Sequence, residues 1–286
     1  MTFDTFIAAA WNDHGDHPEA VAQRLAASLD LVADTPQVVP YARLVTHVYG
    51  EHLAQWPQGV ALLDRIAALP AAGGATERAA LARQRAALRY AAGEPDALAG
   101  LGGEDRIVAV ATAASAFAAL NRFRDAIDAY ESALALAAPG LPDGSPAVRA
   151  LAVGGNNLAA SLEEKTERDA RETAGMLVAA QNGLVYWRRA GTWLEEERAQ
   201  YRLARSRLAA GQPAAAAEAA QACVDVCVAH DAPAFERFFG YAALAVALRA
   251  AGRADADAKA RALACHGQVP EAERHWCAKD RAELDA

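Results

Sequence analysis

The 286-residue sequence predicts an all-α protein made of stacked helix hairpins. Three observations carry that expectation. Alanine dominates an apolar content of 53% while β-branched residues are few, which favours helix over strand. Long stretches lack proline, so nothing in them removes a helical N–H. Apolar residues recur at three- and four-residue intervals, and Gly or Asn interrupts them at similar places.

The unit is plainest in residues 108–140, VAVATAASAFAALNRFRDAIDAYESALALAAPG. Val110, Ala113, Ala114, Phe117 and Leu120 form one apolar stripe, Asn121 breaks it, and Phe123, Ala126, Ile127, Tyr130, Ala133 and Leu134 form the next. Asn tolerates the left-handed conformation that ends a helix, and Pro139 with Gly140 stops the second one.

From the N-terminus the same grammar places a small residue, a turn residue seven later, and small residues twelve and nineteen later. Ala8, Gly15, Ala20 and Ala27 fit it. Looser units follow over 36–70, with Gln55 in the turn, and over 75–102, where AAGEPDALAGLGG leaves room for only a stunted second helix. Ala114, Asn121, Ala126 and Ala133 come next, then 145–190 with EEKTERD in its turn region. Ala204, Gly211, Ala216 and Cys223 repeat the pattern, and Ala245, Gly252 and Ala264 repeat it with Asp257 as the exception. Small residues suit places where two helices cross closely, and Gly or Asn suits the end of the first helix.

This grammar resembles the tetratricopeptide repeat, and the resemblance covers nearly the whole chain. It implies an α-solenoid, a right-handed superhelix of hairpins with a concave groove that binds a peptide or protein segment. The expected organisation is one continuous superhelix: degenerate helical repeats over 1–104, clearer repeats over 105–269, and a capping helix over 270–286. Steps between equivalent positions run from 28 to 45 residues, mostly longer than the usual repeat of about 34. Longer units of this kind are similar to those of kinesin light chains and of bacterial peptide-sensing regulators. The last segment, VPEAERHWCAKDRAELDA, reads as one solitary helix that covers the end of the array, with homodimerisation through Trp276 as the alternative.

Composition bounds the partner. A formal net charge of -8 and no long Lys/Arg run argue against nucleic acid. The N-terminus lacks the basic and apolar stretches of a leader or membrane span, which predicts a cytoplasmic protein with no membrane partner. Four cysteines in so long a chain do not make a disulfide scaffold, in keeping with a reducing compartment.

The candidate contact residues are Asn156, Asn157, Arg198, Tyr201, Arg202 and Arg205. In GGNNLAASLEE two asparagines stand at the front of an expected helix, where each offers a donor and an acceptor to the backbone of an extended peptide. The tetratricopeptide resemblance implies that role for the "NNLA" run; capping the helix is the alternative. Arg198, Tyr201, Arg202 and Arg205 share one helical stripe that suits acidic side chains or a terminal carboxylate. The alternative is a solvated face paired to Glu195, Glu196 and Glu197.

No enzyme chemistry is legible. GLGGEDR lacks the lysine and the preceding strand of a phosphate loop. In HVYGEH, His47 and Glu51 are four apart, yet on an α-helix His52 points about 100° away from Glu51, so no zinc helix is expected. Cys223 and Cys227, with Cys265, His266, His275 and Cys277, could supply zinc ligands, but Cys223 also fits a position that wants a small residue. The expectation is thus a non-enzymatic interaction module without a cofactor. A metal-dependent or otherwise catalytic helical protein and a structural homodimer are the alternatives.

Overall fold

The computed structural model describes residues 1–285, and among them every regular element is helical. The chain forms two compact units that divide between Gly154 and Gly155. The N-terminal unit holds α1 (Phe3–Asp13), α2 (Pro18–Ala27), α3 (Thr35–His47), α4 (Trp56–Ala67), α5 (Ala75–Ala91), α6 (Gly103–Ala119) and α7 (Phe123–Ala137). The next helix, α8 (Pro146–Glu163), runs across the division. The C-terminal unit continues with α9 (Ala170–Ala190), α10 (Trp193–Ala209), α11 (Pro213–Ala229), α12 (Ala234–Ala250), α13 (Ala256–Gln268) and α14 (Ala278–Glu283). Among the described residues no helix is long and apolar enough to cross a membrane.

Consecutive helices pack on one another: α5 on α6, α6 on α7, α9 on α10, α10 on α11, α11 on α12 and α12 on α13. The turn residues read from the sequence stand where they are needed. Asn121, Gly211 and Gly252 all take positive φ, at 59°, 69° and 69°, in the connections after α6, α10 and α12. The small residues between these helices are buried: Ala114, Ala126 and Ala133 in one hairpin, Ala204, Ala216 and Cys223 in another.

Two hairpins depart from the expected pattern. In α1 and α2 the residues Ala8, Ala20 and Ala27 are exposed, and Phe6, Ala10, Val21, Ala22 and Leu25 make the packed face instead. The turn there passes through Gly15 without positive φ, so the register that such a turn would set does not apply. After α12 the connection is residues 251–255 rather than the shorter 210–212 after α10, which rotates α13. Ala258 and Ala262 are therefore buried while Asp257 and Ala264 face out. Residues 75–102 do contain one helix followed by turns alone.

The N-terminal core gathers around two tyrosines. The Tyr41 hydroxyl donates to the Leu25 carbonyl at 2.5 Å and the Tyr49 hydroxyl to the Ala22 carbonyl at 3.1 Å, so both rings bury with their polar ends satisfied. Tyr49 lies in a single turn of π-helix, Val48–His52, that continues α3. That turn presses on α4 and α5 through glycines. A Cβ on Gly59 would stand 2.6 Å from Leu88 Cδ1 and 2.9 Å from Tyr49 Cβ. In the C-terminal unit the close approach is of α12 to α11, where a Cβ on Gly240 would stand 3.2 Å from Cys223 Sγ.

One buried acid sits in this packing. Glu197 of α10 is 1% exposed, and the Cys223 thiol donates to its Oε1 at 3.1 Å. Among the described residues no donor reaches Oε2. Burial, reinforced by the charge of Glu236 and opposed by the Cys223 hydrogen bond, pushes the Glu197 carboxyl up to about 8. Burial therefore favours the protonated acid.

Two outcomes test this packing. Gly59→Ala gains up to about 1 kcal/mol of helix propensity but overpacks a contact worth about 1–3 kcal/mol, so urea denaturation should show a net loss near 1 kcal/mol. A more stable variant would refute the close approach. For Glu197 the folded pKa lies above the unfolded one, so its contribution is complete below the ordinary carboxylate range and is lost as pH rises toward 8. Wild-type stability should therefore fall across that window with a slope approaching about 1.4 kcal/mol per pH unit from this group. Glu197→Gln keeps a donor toward Glu236 and should flatten the profile; parallel profiles for the two proteins would show that Glu197 is ionised when folded.

Candidate functional site

The sequence-predicted stripe lies on α10, and a capping box sets where that helix starts. The Thr192 side chain accepts from the Leu194 N–H, while the Glu195 carboxylate accepts from the Thr192 N–H and hydroxyl at 2.7 Å each. Ala199, Leu203 and Ala204 then face inward, and Arg198, Tyr201, Arg202 and Arg205 follow at three- and four-residue steps on another side.

Each of the four meets an acid carried by another element. Arg198, 57% exposed, donates to both carboxylate oxygens of Glu236 on α12, at 2.6 and 3.4 Å. Arg202 pairs with Glu163 at the end of α8, which also accepts from the Ser206 hydroxyl. Burial raises the Glu163 carboxyl above its ordinary value even though Arg202 and Ser206 pull it down. Tyr201 donates to Asp280 of α14 at 2.6 Å, and its ring stands edge-on to Phe239. Arg205 forks onto Glu283 of α14 at 2.5 and 2.7 Å, which holds that carboxyl below the usual carboxylate range.

Tyr201 and Arg205 are thus covered by α14, which presents two carboxylates three residues apart. Arg249 of α12 completes the cradle by donating to the Glu283 carbonyl at 2.6 Å and the Leu284 carbonyl at 3.3 Å, two of the carbonyls that a helix end leaves without intrahelical donors. The anticipated solitary helix over 270–286 is divided: a 3-10 stretch, Glu271–Cys277, precedes α14. Cys277 and Leu284 are fully buried and anchor this segment, while Trp276 is 67% exposed. Sequence reasoning missed Asp280, Glu283, Arg249 and Phe239. The available signal was the acid spacing within KDRAELD, opposite in charge to RAQYRLAR.

Asn156 and Asn157 do not open a helix. They fall in the interior of α8, which starts eight residues before Gly154 at Pro146, so they cap nothing. Asn156 is half-buried and donates to the exposed Asn157 side chain at 3.3 Å. Seven residues separate Asn156 from Glu163, two helical turns, so both lie on the stripe of α8 that Arg202 meets.

Two clusters of ligand-type side chains occur among the described residues: buried Glu197, Cys223 and Cys227, and half-buried His14, His47 and His52. The first does not include Cys265, His266, His275 or Cys277. Cys223 occupies the small-residue position facing Gly240, and its thiol is pushed well up by its hydrogen bond to Cys227 and by burial. The second corrects the expected direction of His52, which the π turn swings back beside His47.

No protein-family model matches the chain, and no curated protein matches it. Solved structures do. The nearly identical TPR-like repeats of a Podosopora anserina protein described as a kinesin light chain match at 18% identity, covering 77% of this chain and 99% of that one with a TM-score of 0.48. A point variant of the same repeats matches at 17% identity, covering 82% of this chain and 97% of that one with a TM-score of 0.50. At such identity the likeness concerns architecture, and it agrees with the consecutive hairpins and their left-handed turn residues. By fold, the chain is all-α, built of consecutive helix hairpins similar to tetratricopeptide-like repeats.

Proposed function

We propose that this is a non-enzymatic protein-interaction module of a reducing, cytoplasmic compartment, and that the arginine stripe of α10 is its binding surface. Repeat folds of this class build extended binding surfaces from successive hairpins. The observation that carries the reading is the engagement of Asp280 and Glu283 by Tyr201 and Arg205. A surface that holds two carboxylates one helical turn apart, with Arg249 on the helix C-terminus, is suited to an acidic helical segment of a protein partner. Phe239 beside Tyr201 adds an apolar contact. Asn156 and Asn157 offer amide donors and acceptors further along α8 for a longer ligand. The internal helix is then a stand-in that the partner replaces. Exchange of the same helix between two copies would use identical contacts, which is how a homodimer would form.

The test uses a labelled synthetic peptide of residues 270–286 as the probe. Asp280→Asn with Glu283→Gln weakens the internal contact while keeping side-chain size, and this protein should bind the peptide at least about tenfold more tightly than wild type. Adding Arg205→Gln should abolish that gain with the circular dichroism spectrum unchanged. Equal peptide binding with and without Arg205 would overturn the site. Light scattering of the wild type that shows a dimer would place the segment in exchange between copies.

A further inference from the structure

The N-terminal unit holds a second constellation, built from three histidines distant in sequence. His14 ends α1, His47 ends α3, and His52 ends the π turn. Their ring centroids form a near-equilateral triangle with sides of 4.8, 4.9 and 5.0 Å. One ring nitrogen of each lies within 4.8 Å of those of the other two.

The π turn creates this arrangement. On an α-helix, residues five apart point about 140° away from each other. The Leu53 N–H instead bonds back to the Val48 carbonyl at 3.1 Å, an i to i+5 closure, and such a wider turn returns His52 to the side of His47. Gly50, buried within it, lets the turn approach α5, since a Cβ there would stand 3.1 Å from Leu88 Cδ2.

A hydrogen bond sets the tautomer of one of the three. His14 Nδ1 lies 2.6 Å from the Trp11 carbonyl, which only accepts, so Nδ1 carries the proton and Nε2 a lone pair. His47 Nδ1 lies 3.1 Å from the Glu51 carboxylate. A carboxylate at that nitrogen is placed to orient His47 toward a metal held by its Nε2. His47 Nε2 faces His52 Nε2 at 3.2 Å. Two nitrogens bound tetrahedrally at about 2.0–2.1 Å stand roughly 3.3 Å apart, so the spacing already fits a shared ion. The Trp11 ring packs against His14 and His47, each at 5.1 Å, and walls one side.

We propose that His14, His47 and His52 bind one divalent first-row metal ion of the zinc class, with water or an external donor in the fourth position. An all-imidazole set excludes calcium and magnesium, which take oxygen ligands. The ion ties the end of α1 to the end of α3 and so fastens the first hairpin to the N-terminal core. The site is independent of the arginine stripe.

Full-length protein without an affinity tag, stripped with chelator, is titrated with zinc chloride by calorimetry and followed by thermal unfolding. The expected result is one zinc per chain and a higher Tm. His52→Ala and His14→Gln, tested separately, should each weaken binding at least about 100-fold, and Glu51→Gln about tenfold, acting through His47. Cobalt should give the intense visible bands of a tetrahedral site and quench the fluorescence lost in Trp11→Phe. Absence of zinc uptake by the folded wild type would leave a hydrogen-bonded histidine cluster and overturn the proposal. So would zinc binding that survives both histidine variants and disappears with Cys223→Ala.

Discussion

The close approach of consecutive helices is the constraint on which the rest of this structure depends. It is met by small side chains buried in the packed helices, Ala114, Ala126 and Ala133 in α6 and α7 and Ala204, Ala216 and Cys223 in α10 and α11, with Gly240 of α12 against Cys223. Alanine-rich helices bury little apolar area per residue, so stability must come from closeness and from many shallow contacts. Larger residues then enter only where a glycine makes room, as Leu88 does beside Gly59 and Gly50.

Tight packing of narrow helices also decides where charge goes. The long arginines of α10 cannot fold back between helices, so they extend along the surface to acids carried by α8, α12 and α14. These pairs tie elements that are distant in sequence, unlike the neighbouring Glu195, Glu196 and Glu197 that a single-helix reading would assign. Glu195 is spent on the helix cap, Glu196 pairs with Arg188 at 2.8 Å, and Glu197 points into the core. The hydrogen-bonded acids of the stripe described above therefore lie on other elements. Its electrostatics are those of an interface, although the interface is internal.

What the sequence revealed follows from the range of each effect. Turn residues were legible because a left-handed position restricts the residue locally, and Asn121, Gly211 and Gly252 meet it within one hairpin. The first hairpin was not, since its turn needs no such residue and alanine periodicity alone did not set its phase. Asn156 and Asn157 were misplaced because helix propensity is weak, and α8 runs through both asparagines once its apolar face is buried. The π turn left no periodic trace, so His52 was assigned the wrong side of the helix. The cover over the stripe depended on residues nearly eighty positions apart, beyond any local signal. The stripe itself, Arg198, Tyr201, Arg202 and Arg205, was visible as helical spacing; its occupants were not.

Occupancy by an internal helix sets a threshold for any outside ligand. A tethered segment competes at an effective concentration of about millimolar, so a free peptide that merely copies Asp280 and Glu283 does not displace it at micromolar levels. A successful partner must add contacts that the internal helix lacks. Two are at hand beside the stripe: the aromatic edge of Phe235 and Phe239, and the half-exposed Arg198 with its partner Glu236, neither of which touches α14 through these bonds. On the proposed reading, selectivity would rest on apolar and aromatic residues next to the acids, with the charge pairs aligning the segment. Net charge reinforces this division. With -8 overall, the protein repels acidic chains at a distance, so that only a segment able to reach the arginines and cover the aromatic edge gains from docking.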